Sequence, residues 1–282
     1  MVRKHKKLHT VLYHGFAILL GFIMIYPLLW LIASSFKDNS EIFVNSYSLI
    51  PKKWAIIENY TSGWEGIAGI PFGKFIVNTL FVTIVGTAGC VVTSLLAAYA
   101  FSRIHFKGAK FWFTCVMITM MIPNQVMVVP QYVIFKKLGL IDTSAALIAP
   151  WFFGGAFFIF LMIQFFRGIP IEMDEAAEID GCNKIQTLVH ILIPMVSPAV
   201  VTSSIFSFYW IWQDFFQPLI FMTNPEKYTV SLALKLFLDP EAASNYGGMF
   251  AMSFVSLLPV IIFFICFQKH LVEGMATSGL KG

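Results

Sequence analysis

Six long apolar runs constrain what this chain can fold into more than any other feature of its sequence. A helix needs about 20 apolar residues to cross the hydrocarbon core of a bilayer. None of the six runs has Asp, Glu, Lys or Arg in its interior. Because backbone groups in lipid must be hydrogen-bonded internally, we predict an all-α, polytopic membrane protein with six transmembrane helices in one domain, residues 1–282. The predicted spans are roughly residues 16–36, 75–101, 111–134, 143–166, 191–213 and 249–268.

The composition also favours a membrane protein. Only 12% of the residues are charged and 58% are hydrophobic, whereas a soluble domain has about 25% charged residues. The four cysteines form no CxxC pair and are interpreted as reduced, small apolar residues. We predict no metal site, and we interpret three N-terminal histidines as solvated or interfacial. The net charge of +4 is explained better by loop topology than by a nucleic-acid partner. The cysteines and these histidines are Cys90, Cys115, Cys182, Cys266, His5, His9 and His14.

Several of the apolar runs contain proline, which removes a backbone donor and kinks a helix. Kinks or unwound turns are therefore expected within the spans, and in a transporter they shape a pathway. The alternative is the ordinary tolerance of membrane helices for proline. The residues concerned are Pro27, Pro123, Pro130, Pro150, Pro194, Pro198 and Pro259.

The distribution of Lys and Arg predicts the orientation of the chain. With the N-terminus inside, the inner segments hold 11 of these residues and the longer outer segments hold 8. Both termini are therefore predicted to be cytoplasmic, and tryptophans near the span ends fit an interfacial belt. The first run is interpreted as a retained span, since it is too long for a signal peptide. The inner segments are 1–15, 102–110, 167–190 and 269–282, and the outer ones are 37–74, 135–142 and 214–248.

The longest polar stretch on the inner side is PIEMDEAAEIDGCNKIQTLVHILIPMVSP, residues 170–198. Residues 172–179 are mostly good helix formers, Pro170 suits a first turn, and Gly181 can end the helix. The resulting helix presents an acidic flank of Asp174, Glu175 and Glu178. A helix this short is marginal in water, so we expect another protein to hold it. The alternative is a solvated loop.

This stretch resembles a known motif. Glu175-Ala176-Ala177, Gly181 after three more residues, and then Ile191 and Pro194, are similar to the EAA loop of permease subunits from binding-protein-dependent ABC importers. The one departure is Ile193, where leucine is usual, and that exchange conserves volume. The resemblance implies that loop 167–190 is a cytoplasmic coupling helix that docks in a cleft of the ATPase. The implied coupling residues are Asp174, Glu175, Ala176, Ala177, Asp180, Gly181, Ile191 and Pro194.

The resemblance also implies individual roles for these residues. Glu175 would contact a cation of the ATPase, and Ala176 and Ala177 would be small for close docking. Gly181 would turn the chain back, and Pro194 would set the entry into the fifth span.

Two further regions carry the resemblance. SSFKDNSEIF, LIPKKW, ENY and PFGKFIVNTL, within residues 34–80, resemble the first external segment of sugar-importing permeases. Residues 267–282 resemble the tail of maltose-type six-span permeases, which touches the ATPase. The implied partners are a second permease, two ABC ATPases that bind ATP and Mg, and an extracytoplasmic solute-binding protein. The implied location is the plasma membrane of a bacterium, and the second outer segment, 214–248, is an additional candidate surface for the solute receptor.

The sequence lacks the motifs of an enzyme or of an ion-coupled carrier. The nearest string to a P-loop, residues 69–74, has the wrong glycine spacing and is followed by Phe75. The spans carry no ionisable groups for a proton relay, and Asp214 at a span end is interpreted as a structural anchor. We therefore expect no ATP site, no catalytic residue and no cofactor in this chain. A secondary transporter without an ATPase and a membrane enzyme remain as alternatives.

The polar residues inside the runs are neutral, which suits sugar hydroxyls because these need donors and acceptors but no counter-ion. Aromatic residues 209, 210 and 212 are candidates to stack on a sugar face. The alternative is that such residues hold helices together. We expect a disaccharide or oligosaccharide, with a polyol or glycerol phosphodiester as the alternative. The candidate pathway residues are Asn124, Gln125, Ser207, Tyr209, Trp212 and Gln213.

Overall fold

The structure is a computed structural model that describes residues 2–238 and 244–279, with side chains for residues 10–238 and 244–268. Every regular element in these ranges is helical, apart from two isolated bridges, Lys37 with Trp54 and Ile67 with Ile70. The all-α prediction is therefore confirmed. The basic start at residues 3–7, His9 and most of the predicted C-terminal tail lie outside the described side chains.

Short 3₁₀ and π segments separate some of the α-helices. Short 3₁₀ turns cover Ala149–Phe153, Pro225–Lys227 and Leu234–Phe237, and a π-helix covers Thr187–Leu192. The α-helices are α1 (Val2–Phe36), α2 (Glu41–Val44), α3 (Ile56–Glu65), α4 (Phe72–Arg103), α5 (Ala109–Thr119), α6 (Asn124–Lys137), α7 (Ser144–Ile148), α8 (Ala156–Arg167), α9 (Glu172–Ile179), α10 (Lys184–Gln186), α11 (Ile193–Met195), α12 (Ser197–Trp212), α13 (Phe216–Phe221), α14 (Val230–Ala233) and α15 (Tyr246–Gly279).

The described residues contain four stretches without a sharp bend that are long and apolar enough to cross a membrane, and six if each of two bent helix pairs is one span. The four stretches are Thr10–Phe36, Phe72–Arg103, Ser144–Arg167 and Tyr246–Gln268. The bent pairs are α5 with α6, at 104°, and Lys184–Met195 with α12, at 78°. All six predicted runs fall on these helices, but the third and fifth runs are broken. The bends lie beside Pro123 and between Pro194 and Pro198, as the prolines led us to expect.

The chain packs into two compact units, residues 1–73 with 234–258 and residues 74–233 with 259–282. In the first unit, the fully buried Lys37 donates from Nζ to the carbonyl oxygen of Asn45 at 2.9 Å. Asn59 donates from Nδ2 to the carbonyl oxygen of Lys37 at 2.8 Å. The Glu41 carboxylate accepts the amides of residues 52–53, and these bonds lower its pKa. The predicted outer segment 37–74 is therefore ordered by its own polar contacts.

The second unit has two apolar cores on different halves of α4. One core joins the C-terminal half of α4 to α8 and to the π-helix, through Ala98, Met162, Phe166 and Leu192. The other joins the N-terminal half of α4 to α6, α7, α12 and α13, and its buried residues include Val82, Val128, Ala146, Ile211 and Phe221.

The predicted fourth span, 143–166, is interrupted between α7 and α8. Gly154 has a positive φ of 78°, and Gly155 donates its N–H to Oγ of Ser94 at 3.0 Å. A Cβ on Gly89 of α4 would lie 2.5 Å from the ring of Phe152. The glycines on α4 therefore let this interruption approach closely, and Ser94 satisfies a backbone donor that the broken helix leaves free.

An ion pair fixes two loops of the second unit to each other. Asp142 accepts the amides of Thr223 and Asn224 on Oδ1, at 3.0 and 2.9 Å. Lys227 donates from Nζ to Oδ2 of Asp142 at 2.8 Å and to its carbonyl oxygen at 2.6 Å. The contact with Lys227 and the two amides hold the pKa of Asp142 well below its usual range.

Candidate functional site

Helix α9 forms where the sequence predicted it. It covers Glu172–Ile179, starts two residues after Pro170, and has three acids in its first turn, where the helix dipole favours them. Gly181 has a φ of +83°. Its N–H donates to the carbonyl oxygen of Glu178, and the next N–H, of Cys182, donates to that of Ala177. This is a Schellman motif, so the helix ends because Gly181 adopts a left-handed conformation.

The helix that follows starts with a capping box that we did not predict. Oδ1 of Asn183 accepts the amides of Ile185 and Gln186, and Oε1 of Gln186 accepts the amide of Asn183 at 2.8 Å. The Asn-x-x-Gln spacing is visible in the sequence and is the signal that would have identified this start. The backbone of the loop is therefore hydrogen-bonded on both sides of Gly181.

A buried ion pair attaches α9 to α4. Nε of Arg103 lies 3.2 Å from Oδ2 of Asp174, and the two side chains are 7% and 14% exposed. The Nε–H is not aligned on that oxygen, so charge rather than a hydrogen bond pairs these two atoms. Arg103 also donates to the carbonyl oxygens of Phe166 and Ile169, at 2.9 and 2.8 Å. The side chain of Asp174 is thus directed at Arg103 of the same chain. This corrects the prediction that Asp174 belongs to the exposed acidic flank.

Ala177 is also directed inward. It is buried against the described part of its own chain, so its small size is already required for the packing of α9. This differs from the expectation that both alanines are small for docking, since only Ala176 is exposed. Tyr99 adds a contact from α4, donating its hydroxyl to the carbonyl oxygen of Lys184 at 3.2 Å.

The other face of the loop is exposed and partly apolar. Ile179 is 87% exposed and Ile185 is 73% exposed, although both lie in the most polar stretch between two spans. Glu175 is exposed beside them. Two large apolar side chains and one carboxylate are thus exposed on this polar loop. Of the other predicted coupling residues, Asp180, Gly181 and Pro194 are exposed and Ile191 is half-buried.

The entry into the fifth span combines a π-helix with a bend. The π-helix Thr187–Leu192 ends two residues before Pro194, and the chain bends before α12 starts at Ser197. Wide π-turns occur often at functional sites. Proline lacks the donor of a regular turn, so Pro194 lies at the position where the prediction placed a change of direction.

The second unit also contains a cavity of about 1010 Å³, which α5, α6, α8 and the 3₁₀ turn at Ala149–Phe153 surround. Trp112, Trp151 and Trp210 contribute to its aromatic wall, and Asn124, Gln131 and Gln217 are among its polar lining residues. None of its described lining residues is Asp, Glu, Lys, Arg or His. The arrangement can hold a neutral molecule that has both polar groups and flat apolar faces.

Of the six predicted pathway residues, only Asn124 lines this cavity. Ser207 is buried and donates its hydroxyl to the carbonyl oxygen of Ser203, at 2.7 Å. Trp212 is buried and stacks on Phe208 at an angle of 9°. Three others are exposed outside the cavity lining, namely Gln125, Tyr209 and Gln213. Instead, Gln131 and Gln217 line the cavity. Hydrophobic periodicity alone did not distinguish these two residues from other glutamines.

Asp214, predicted to be an anchor, caps the short helix α13. Its Oδ1 accepts the amide of Phe216 at 3.0 Å and that of Gln217 at 3.3 Å. Burial raises the pKa of this carboxyl, and the two amides oppose that shift. The position of Asp214 therefore orients the first turn of α13, which carries Gln217.

Comparisons with known proteins agree with the geometry. Residues 89–277 match the family model described as the inner membrane component of binding-protein-dependent transport systems. The chain is 36% identical to the probable ABC transporter permease protein YurM of Bacillus subtilis, over 91% of this chain and 84% of that protein. It is 30% identical to the arabinooligosaccharides transport system permease protein AraQ of Halalkalibacterium halodurans, over 95% of each chain.

The fold also matches a solved structure. A chain in the crystal structure of a bacterial ABC transporter involved in the import of the acidic polysaccharide alginate superposes with a TM-score of 0.82. The superposition covers 94% of this chain and 97% of that chain, at 22% identity. At that identity the likeness shows the fold alone, which is the all-helical fold of an ABC importer permease.

Proposed function

Since this chain belongs to the family of inner membrane components of binding-protein-dependent transport systems and is an ABC transporter permease, we propose that it is one permease subunit of an importer for a disaccharide or oligosaccharide. It works beside a second permease, two ATPases that bind ATP and Mg, and an extracytoplasmic solute-binding protein. Both termini and the loop 167–190 are cytoplasmic, in the plasma membrane of a bacterium. The similarity to a permease named for arabinooligosaccharides supports this substrate class.

The observation that carries the coupling part of the proposal is the two-faced loop around α9. On one face Ala177 is buried, and the Arg103–Asp174 pair attaches α9 to α4. The other presents exposed Ile179 and Ile185. Contact with a partner would remove the apolar surface of both isoleucines from water, which is favourable. The ATPase covers this face, and Glu175 lies beside it to contact a cation.

The transport mechanism is alternating access. The ATPase subunits bind the loop differently in their open and closed states, and only such a difference in contact can shift the conformation of the spans. Because α9 is attached to α4 and α8 by buried groups, a displacement of the loop moves those helices with it. ATP hydrolysis in the partner then resets the cycle.

The test replaces exposed residues of the loop and measures the ATPase that stays bound. The tagged chain is purified in detergent together with its partner subunits, and ATP hydrolysis is assayed in the purified complex. We expect Ile179→Asp and Glu175→Lys to reduce the bound ATPase activity about ten-fold or more, as for anchor residues of an interface. Neither change removes a contact that the described chain makes with itself, so the permease remains folded.

The matched control is Ile57→Asp, which changes another exposed isoleucine, in the predicted outer segment. We expect it to retain the ATPase. Full ATPase activity in both loop variants would contradict the assignment of this loop face as the docking surface. A wild-type chain that co-purifies with no ATPase activity would favour a transporter that needs no ATPase.

A further inference from the structure

We infer that the tip of the first outer loop, residues 42–51, forms with α1 a binding site for a phospholipid of the outer leaflet. The site is a cleft of about 460 Å³ in the first unit. The upper part of an acyl chain lies in this cleft, and the ester groups lie beside the loop tip. The inference goes beyond the proposed function and takes from it only the orientation of α1, which decides the leaflet. The residues that line the cleft are Tyr26, Pro27, Trp30, Ser46 and Tyr47.

Charged groups close the base of this loop and are absent from its tip. At the base, Lys53 pairs with Asp38, and the Glu41 carboxylate accepts the amides of residues 52–53. The tip, IFVNSYSLIP, contains no Asp, Glu, Lys, Arg or His. Moving the tip into the edge of a bilayer therefore requires no desolvation of a charged side chain, which is the most expensive part of such a transfer.

The loop tip exposes large apolar side chains, although it belongs to an outer segment. Val44, Tyr47 and Ile50 are 79%, 78% and 74% exposed. Contact with lipid would remove this surface from water, which is favourable. The backbone of the tip is not a continuous helix, so it suits the headgroup region, where water still reaches N–H and C=O groups, and not the hydrocarbon core.

Contacts with two spans give the depth of the loop tip. Nε1 of Trp30 donates to the carbonyl oxygen of Ser46 at 2.6 Å. Trp30 precedes the end of α1 at Phe36 by six residues, or about 9 Å along the helix. The ring of Trp30 also contacts that of Phe250, with centroids 5.2 Å apart, and Phe250 lies at the start of the predicted run 249–268. The loop tip therefore lies where one apolar run approaches its end and another begins, which is the boundary between headgroups and acyl chains.

The lining of the cleft favours a lipid over a helix of another subunit. Helices in membranes approach each other closely through small residues. The glycines of α1, Gly15 and Gly21, lie nearer its start, whereas α1 lines the cleft with Tyr26, Pro27 and Trp30. Tyrosine and tryptophan are enriched at the level of the headgroups. Their rings pack against acyl chains while their polar ends are hydrogen-bonded, so the cleft suits the upper part of a phospholipid.

The experiment places the photoreactive residue p-benzoylphenylalanine at Tyr47 in the complete transporter. The purified complex is reconstituted in vesicles of phosphatidylethanolamine and phosphatidylglycerol, irradiated, and analysed by the mass of this chain. The matched control carries the same replacement at Ile57, which is 83% exposed. Ile57 follows Ala55, whose N–H donates to the carbonyl oxygen of Phe36 at 2.9 Å, so it lies level with the end of α1. We expect a gain of one phospholipid mass at position 47, with about five-fold or more adduct than at position 57.

The side chain of Tyr47 is exposed, so its replacement leaves the packing of the first unit intact, and bound ATPase activity verifies that each variant is assembled. A cross-link from position 47 to another protein instead of lipid would refute the site, because a subunit or receptor would then cover the cleft. Equal lipid adduct at the two positions, or none at either, would refute it as well. Failure of the proposed function is distinguishable, since it appears as a wild-type complex without ATPase activity and not in the mass of this chain.

Discussion

Two ion pairs in the second unit hold distant segments of the chain together, and they differ in what surrounds them. Arg103 and Asp174 are almost fully buried, whereas Lys227 and Asp142 are 43% and 25% exposed. In the first pair the cation makes the additional hydrogen bonds, since Arg103 also donates to two carbonyl oxygens. In the second pair the anion makes them, since Asp142 also accepts hydrogen bonds from two backbone amides.

The difference shows how the same contact type can serve two purposes. A buried pair is expensive to form and more expensive to break, because the remaining partner is left charged in an apolar surrounding. An exposed pair is screened by salt and water and can be lost at small cost. The Arg103–Asp174 pair therefore suits the proposed role of α9, in which a displacement of this helix moves α4 with it. The Lys227–Asp142 pair suits a contact that only keeps two loops together.

The largest expected effect is that of Asp174→Ala. It leaves Arg103 buried beside α9 without its counter-charge, so we expect a loss of about 3 kcal/mol in the free energy of unfolding. The two hydrogen bonds from Arg103 to carbonyl oxygens remain and keep the loss at the lower end of the usual range. Thermal unfolding of the purified transporter measures it.

Asp174→Asn is the matched variant, because it keeps the shape and removes only the charge. It should fall between the wild type and Asp174→Ala. A wild-type unfolding midpoint in the alanine variant would contradict the view that this pair is buried and essential, and the contrast between the two pairs would then disappear.

The sequence was sufficient to predict α9 but not its attachment. Acids at the start, two alanines in the middle and Gly181 at the end are all local signals, and they gave the helix bounds of Glu172–Ile179 correctly. Arg103 was visible as a base at the end of an apolar run. Its pairing with Asp174 depends on how α4, α8 and α9 pack, and no local pattern contains that.

The same division applies to the spans and the cavity. Hydropathy located all six runs, since it depends only on the transfer of side chains into lipid. It could not place the interruption at Gly154, which depends on close approach to α4. The pathway residues were mostly misplaced for a related reason, because whether Ser207 or Gln131 faces a cavity depends on tertiary packing. The Gly154-Gly155 pair and the Asn183-x-x-Gln186 capping box are both visible in the sequence, but the prediction did not use them.

The second prediction compares two glycines, one near each ion pair. Gly181 and Gly139 have φ values of +83° and +68°, and a Cβ at either position would meet nothing within 4 Å. Alanine at either position should therefore cost about 1–2 kcal/mol in unfolding free energy, from backbone strain alone. Only Gly181→Ala should also reduce the bound ATPase activity, because Gly181 ends α9 beside the proposed docking face.

Unfolding and bound ATPase activity are measured on the same preparations, so each glycine variant is the control for the other. Equal loss of ATPase activity in both variants would mean that general instability, not the position of Gly181, weakens the complex.

The smallest expected effect is that of Asp142→Asn, which breaks the exposed pair. We expect a loss of about 1 kcal/mol at neutral pH, reduced further by salt. Because the pKa of Asp142 is lowered in the folded protein, its contribution is fully present above its unfolded pKa, about 4. The contribution is lost as the pH falls from there through the lower folded value.

Unfolding measured in parallel for wild type and variant between pH 3 and pH 7, at two salt concentrations, checks this prediction. A difference that stays constant down to pH 3 and does not respond to salt would place Asp142 in the same class as Asp174 and remove the distinction between a buried and an exposed joint.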